Sequence, residues 1–298
     1  MTSILAVAPE VAAAIAAGKP VVALETSIVG QGLPAPHNLR AALECEAAIR
    51  DEGGVPATVA VLDGRLRVGL TTADLDRIAS HSRKVSSRDL GPALARGEAG
   101  ATTVAATMRS AAMAGIRFMA TGGIGGVHRG HPEDQSADLL ELALSAVAVF
   151  CAGPKIILDL PFTLERLESL SVPVLGYGTD ELPAFYTKRS GLPVSARVDG
   201  PAETARTIAS AWLSGSLGMV VAIPPPAELP DAAALVERAL REVTAMAGDV
   251  TPRLLARIAE ISNGRSLDVN VELVVNNSRI AAQVARAYSE QAGQPAPQ

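Results

Sequence analysis

Two apolar, strand-like runs of the chain end in residues able to do chemistry. Phe118 to Thr121 passes into Gly122-Gly123-Ile124-Gly125-Gly126-Val127-His128 and on to His131, Glu133, Asp134, Ser136 and Asp138, while Val147 to Ala152 passes into Gly153-Pro154-Lys155. In open α/β sheets ligands collect beyond the carboxyl ends of the strands, so a site belongs in these two loops. Lys155 lies between Val149-Phe150-Cys151-Ala152 and Ile156-Ile157-Leu158. Burial among such neighbours frees an amine's lone pair for attack on a carbonyl carbon; a lysine that snorkels to the surface stays an ordinary cation. Only four of the 26 basic residues are lysines, at 19, 84, 155 and 188. A chain that otherwise uses arginine keeps lysine where a neutral amine is needed, although genome composition produces the same bias.

Glu25 closes the run Val21-Val22-Ala23-Leu24. A carboxyl in partly apolar surroundings can serve as a general acid, whereas the everyday work of a strand-end acid is to cap a helix or pair with an arginine. If the strands are parallel, Glu25 shares a sheet edge with Lys155. The glycine loop fails the dinucleotide spacing because His128 stands where a third glycine is required, and it lacks the Lys-Ser/Thr of a P-loop. It can still bring backbone amides to an anion, or simply form a tight turn. His128, His131, Glu133, Asp134 and Asp138 put five potential ligands within eleven residues. Carboxylates in a loop suit a hard cation such as Mg²⁺ or Mn²⁺ with water completing its shell, Asp134 being the preferred ligand; a solvated polar loop has the same composition. Lys84, in Ser82-Arg83-Lys84-Val85-Ser86-Ser87-Arg88-Asp89, suits phosphate or sugar oxygens, or is an exposed helix end.

The elements that must position these residues alternate between helix and strand. Strands are expected at Pro20 to Glu25, Ala57 to Leu62, Leu66 to Val68, Phe118 to Thr121, Val147 to Ala152, Pro173 to Tyr177, Val194 to Val198 and Gly218 to Ile223. Asp63-Gly64 makes a hairpin of the second and third, so the sheet is mixed. Helices are expected at Pro36 to Glu52, Thr72 to Ser82, Asp89 to Arg96, Val104 to Ala114, Ser136 to Ser145, Phe162 to Leu170, Pro201 to Ser214, Pro230 to Ala247, Pro252 to Ile261 and Asp268 to Tyr288. Ser136 or Asp134 is placed to cap the fifth. The pattern reads as an α/β fold with helices on both faces of a mixed, mostly parallel sheet: one domain over residues 1–290 and a disordered tail over 291–298.

The 298 residues are 48% hydrophobic but only 3% aromatic, so the core must be built from Ala, Val, Leu and Ile. A net charge of −5 without a basic cluster argues against nucleic acid as partner. Cys45 and Cys151 are too few for a disulfide framework, which fits a reducing, cytoplasmic setting. Residues 1–17 lack a basic leader and contain Pro9 and Glu10, and no apolar run reaches the roughly 20 residues that span a bilayer.

Taken together, Val21 to Ile28, Gly54 to Ala60, Lys84 to Ser86, Gly100 to Ala105, Phe118 to Arg129, Ser136 to Leu139, Cys151 to Lys155 and Pro252 to Arg257 resemble the pseudouridine-5′-phosphate glycosidases, or indigoidine synthase A-like family, from Ala8 to Tyr288. The resemblance implies a three-layer α/β/α fold and a homotrimer. It also implies reversible cleavage of the C–C glycosidic bond of pseudouridine 5′-phosphate to uracil and ribose 5-phosphate, with a divalent ion, usually Mn²⁺. Carried onto this sequence, it makes Lys155 the covalent nucleophile, Glu25 the proton donor and Asp134 the metal ligand. Lys84, Val104, His128, Ser136, Ala137 and Asp138 would contact substrate, and Asn270 would read the uracil edge. The chain departs from the family in a shorter segment between Arg129 and Asp134, and in Glu25-Thr26-Ser27 where Glu-Ser-Thr is commoner. Ordinary glycosidases use two carboxylates on an oxygen leaving group; a carbon leaving group calls instead for an opened ribose held on an amine while an acid protonates C5 of uracil. The rival readings are another Schiff-base lyase acting on a sugar phosphate and a non-catalytic sensor of phosphorylated nucleosides.

Overall fold

The computed structural model of the protein describes residues 4–243 and 250–292. Its strands are β1 (Leu5–Val7), β2 (Val21–Leu24), β3 (Val55–Leu62), β4 (Arg65–Val68), β5 (Arg83–Val85), β6 (Gly100–Thr102), β7 (Phe118–Ala120), β8 (Val127–His128), β9 (His131–Gln135), β10 (Ala148–Cys151), β11 (Leu158–Asp159), β12 (Val174–Tyr177), β13 (Ala196–Val198) and β14 (Met219–Ala222). Its helices are α1 (Pro9–Ala16), α2 (His37–Asp51), α3 (Thr72–Ser80), α4 (Leu90–Arg96), α5 (Val104–Ala114), α6 (Ala137–Leu144), α7 (Leu160–Ser169), α8 (Gly200–Leu213), α9 (Ala232–Val243), α10 (Val250–Ile261) and α11 (Arg265–Ala292).

β3, β2, β7, β10, β14, β12 and β13 lie side by side in that order, every neighbouring pair parallel. Strands such as Val-Val-Ala-Leu and Ala-Val-Phe-Cys are buried along their whole length, as a sheet covered on both faces requires. Alternate residues serve opposite faces. Val22, Leu24, Phe118, Ala120 and Phe150 join one core cluster with α2, α8 and α11, while Val21, Ala23, Met119, Val149 and Cys151 join another with α1, α5, α6 and α7. That is the three-layer arrangement. Phe118, Trp212 and Tyr288 meet edge to face with ring centroids 5.3 to 5.7 Å apart, so three of the few aromatic rings fasten α8 and α11 to β7.

The expected hairpin is present as antiparallel β3–β4, with Asp63 and Gly64 both at positive φ, as the tightest hairpin turns demand. β3 is long enough for two sets of partners: its first half pairs with β2, its second with β4 and, on the β2 side, with β6. β5 then extends β6 in parallel, which brings Lys84 into the sheet. A separate antiparallel sheet, β11-β8-β9, sits beyond the main one.

Several expectations need correction. The polar run around Asp134 is not a loop but the exposed strand β9, held by pairing with β8 rather than by apolar patterning. The helix expected to reach Ser82 stops at Ser80, because the chain must extend again into β5. β1 and α1, for which residues 1–17 gave no assignment, form a strand on β4 and a helix buried through Val11 and Ala14. α11 runs on to Ala292, so Gln291 and Ala292, assigned to the tail, are helical; residues 293–298, and Thr244 to Ala247 at the end of the expected eighth helix, lie outside the described residues. Among the described residues no helix is long and apolar enough to cross a membrane.

Candidate active site

Beyond the carboxyl ends of β2, β7 and β10 opens a cavity of about 660 Å³. Its wall includes Glu25 from the end of β2, Lys84 from β5, Val104 from the start of α5, His128 from β8, Asp134 from β9, Ser136, Ala137 and Asp138 from the start of α6, and Lys155 from the turn after β10. Nine of the ten residues to which the family resemblance gives a role thus converge, whereas His131 and Glu133 do not line the cavity and pair with each other on exposed β9 (3.3 Å). Asn270 does not line this cavity: it is buried on α11, where its Oδ1 packs behind Gly122, 3.3 Å from where a Cβ on that glycine would stand.

The loops after β7 and β10 are joined. Ile124 N donates to Gly153 O (3.2 Å) and Lys155 N to Ile124 O (3.2 Å), a parallel bridge one layer above the sheet. Gly153 is required here, at φ +81° and pressed against the Pro183 carbonyl. Arg129 braces the far side, donating to Ile156 O (2.7 Å) and Leu158 O (3.0 Å) and pairing with Glu237 (2.6 Å). Lys155 is partly buried, and among the described residues its ammonium has no hydrogen bond or ion pair. It is available to a ligand.

Glu25 is held from both sides: Ser27 Oγ donates to Oε2 and Thr121 Oγ1 to Oε1. Its acidity is set first by burial, which pushes the carboxyl above the ordinary glutamate range; the Lys155 charge and the two hydroxyls pull the other way, and Asp138 adds to the rise. Beneath it, Thr26 Oγ1 and Thr102 Oγ1 both donate to Val59 O (2.7 Å each), and Thr102 N donates to Thr26 Oγ1 (2.9 Å). This buried network fixes the end of β2 against β3 and β6.

Asp138 is the keystone of the opposite wall. Its Oδ1 accepts from Ala105 N (2.9 Å) and its Oδ2 from Gly125 N (2.8 Å), so a single buried carboxylate ties the glycine loop to the first turn of α5. Thr103 caps α5, and Ser136 accepts from Asp138 N (3.2 Å) at the start of α6. Two helix N-termini therefore open on the cavity, next to Arg83, Lys84 and Arg88. Helix starts and three cationic side chains at one end make that end suited to a phosphate. Deeper between α5 and α6, Arg109 grips buried Glu141 with two bonds (2.6 and 3.2 Å).

The fit for a divalent cation is narrow. Asp134 faces the cavity with an exposed carboxylate and His128 lines the same wall, but Asp138 is committed to backbone amides, and among the described residues no three His, Cys, Asp or Glu side chains gather as a ligand set. The donors suit a hard cation that keeps most of its water and takes oxygens from the substrate, not one caged by protein.

Sequence reasoning passed over Thr121, Ser27 and Arg129. The hydroxyls were signalled by their place next to Glu25 and the glycine loop; the role of Arg129 depends on tertiary contacts with no local signature.

Residues 10–287 match a family model described as indigoidine synthase A like protein. A curated pseudouridine-5′-phosphate glycosidase of Paracoccus denitrificans is 51% identical over 97% of this chain and 100% of its own length. Among solved structures, a prealnumycin C-glycosynthase in complex with ribulose 5-phosphate superposes with a TM-score of 0.88 at 37% identity, covering 99% of this chain and 100% of that one. An indigoidine synthase A-like protein from Thermotoga maritima gives 0.88 at 30% identity, over 97% and 98%.

Proposed function

The chain belongs to the indigoidine synthase A-like family, and from that premise we propose that it is a pseudouridine-5′-phosphate glycosidase, an enzyme that reversibly cleaves its substrate to uracil and ribose 5-phosphate. The observation that carries the reading is the convergence of Glu25 and Lys155, from two parallel strands, on one cavity whose other end is built for phosphate. Lys84 and the amides around Val104 hold the 5′-phosphate, and His128, Ser136 and Ala137 line the pentose.

In the cleavage direction the C1′–O4′ bond breaks, O4′ takes a proton, and the Lys155 amine bonds to C1′ with loss of a proton. Glu25 then gives its proton to C5 of uracil as the C1′–C5 bond breaks; the bonding pair goes to the base, and the lysine nitrogen closes to C1′=N. Water adds at C1′ and returns the amine with the aldehyde of ribose 5-phosphate. A carboxyl whose hold on its proton is strengthened by burial fits the donor's part. Asp134 would hold the divalent ion, Mn²⁺ in this reading, which supplies positive charge beside the phosphorylated sugar when bound. The enzyme works as a cytoplasmic homotrimer. Asn270 lies one layer behind the glycine loop, so its part in uracil recognition would be exerted through the backbone at Gly122.

The test is to mix the protein with uracil, ribose 5-phosphate and Mn²⁺ and look by mass spectrometry for the condensed nucleotide. Adduct formation without uracil-dependent synthesis would point instead to a different Schiff-base lyase.

A further inference from the structure

Glu25 belongs to the walls of two cavities. One is the candidate active site; the other is a small space of about 20 Å³ on the α2 side of the sheet, bordered also by Thr58, Thr121, Cys45 and Val274. A space of this size accommodates one water, and such a water needs two or more polar partners; Glu25, Thr58 and Thr121 are the polar residues besides Cys45 on its wall. Thr58 is fully buried on β3, and its Oγ1 donates to Oε1 of Glu46 at 2.5 Å. Glu46 sits on α2, partly buried, and reaches the surface beside the Arg50–Glu10 ion pair (2.5 Å). One water in that space would complete a line of exchangeable protons from solvent through Glu46 and Thr58 to the rear of Glu25.

We infer that Thr58 and Glu46 form a proton relay that reloads Glu25 from the α2 face while substrate fills the active-site cavity. The inference rests on Glu25 being the acid of the C–C cleavage. In each relay event the Thr58 hydroxyl turns its hydrogen from Glu46 to the water, protonated Glu46 passes its proton to Thr58 Oγ1 as Thr58 passes its own hydrogen to the water, and the water protonates the Glu25 carboxylate; Glu46 recovers a proton from solvent. A hydroxyl can do this because it accepts and donates at once. Burial raises the Glu46 carboxyl above its ordinary range, against the Thr58 hydroxyl and the Arg50 charge, with Glu10 adding to the rise, so it holds a proton more readily than an exposed glutamate. Cys45, beside the same space, is pushed up to about 12 by burial and stays a neutral thiol.

The experiment follows the proton taken from C5 of uracil. Full-length protein is incubated with ribose 5-phosphate, Mn²⁺ and uracil deuterated at C5, and mass spectrometry gives the deuterium lost from unconverted uracil per nucleotide formed. With the relay intact, Glu25 exchanges its deuteron with solvent before the new bond reverts, and recovered uracil loses label. Glu46→Gln still accepts the Thr58 hydrogen bond but cannot pass a proton; Glu25 then hands the same deuteron back, and the ratio falls several-fold. Thr58→Val should lower the ratio likewise and Thr58→Ser restore it. A ratio unchanged in folded Glu46→Gln, or a fall in all rates with the ratio preserved, overturns the relay. A native chain that forms no nucleotide from uracil and ribose 5-phosphate overturns the functional reading itself, a result distinct from either.

Discussion

Lys155 and Glu25 divide the chemistry, and each can be removed without the other. Borohydride added with ribose 5-phosphate should attach the pentose to Lys155 in the native chain and to nothing in Lys155→Arg, because a guanidinium cannot give up its proton to become a nucleophile. Modification of the native protein elsewhere, with Lys155 unlabelled, removes the covalent step from the mechanism. Glu25→Gln keeps an acceptor for Ser27 and Thr121 but has no proton to deliver. Its kcat should fall about 10²- to 10⁴-fold, the range typical of a lost general acid, while the borohydride adduct still forms. Stability gives an independent check. Between the ordinary glutamate value of 4.5 and its raised value in the fold, Glu25 keeps a proton that the unfolded chain has released. The contribution of this carboxyl is thus fully present below 4.5 and is lost as pH rises through the folded value. Glu25→Gln should therefore gain in melting temperature relative to the native chain as pH rises from 4 to 8; a relative loss over that range contradicts a carboxyl whose proton affinity is raised by burial.

The elements around these two residues work as one frame, and the glycine loop shows how tightly. A Cβ at Gly125 would press into the Ser136 side chain and stand 3.0 Å from Asp138 Oδ2, so Gly125→Ala must displace either the loop or the start of α6. Substrate saturation curves should show a raised KM together with a lowered kcat. Asp138→Asn is the sharper case: the side chain keeps one acceptor and turns an NH₂ toward either Ala105 N or Gly125 N. An unpaired buried amide costs about 1 to 3 kcal/mol, readable as a lower midpoint in a urea titration; an unchanged midpoint would mean that the carboxylate is not the tie between α5 and the loop. The sequence offered Asp138 as a potential ligand and, by resemblance, a substrate contact at the start of a helix, but not as the tie between α5 and the glycine loop. Glu25 and Lys155 were legible because each ends a continuous apolar run, and a buried parallel strand announces its carboxyl end. β8 and β9 carried no such signal, since polar residues paired only across a small exposed sheet have no alternation to detect. Thr58 and Glu46 look ordinary for the same reason: a threonine among valines and a glutamate on a helix acquire meaning only when α2 packs on β3.

At the scale of the whole molecule, the central parallel strands and most helix spans could be read from the chain, because a sheet covered on both faces demands uninterrupted apolar strands with glycine and proline between them. How the copies assemble follows from no such pattern. The proposed trimer must be sought in what the fold leaves outside. Leu140 and Leu144, four residues apart on α6, are 54% and 56% exposed, and Met113 of the adjoining α5 is 47% exposed. Residues so spaced share one helix face, and α6 begins at the cavity wall. If this face is where subunits meet around a three-fold axis, covering each leucine contributes about 1.5 to 3 kcal/mol, whereas a carboxylate there would have to be buried unpaired. Sedimentation equilibrium should give three times the chain mass of 30.5 kDa for the native protein, and the double substitution Leu140→Glu, Leu144→Glu should shift it toward the single-chain value without lowering helix content. A native protein that sediments at 30.5 kDa at micromolar concentration ends the trimer proposal, and a double variant that remains trimeric moves the interface to another face. Because the same helix carries Ser136, Ala137 and Asp138 in its first turn, dissociation should also loosen the phosphate end of the site. Diluting the native protein through its assembly transition should then raise KM for the phosphorylated sugar before kcat changes, a dependence on concentration that an active monomer would lack.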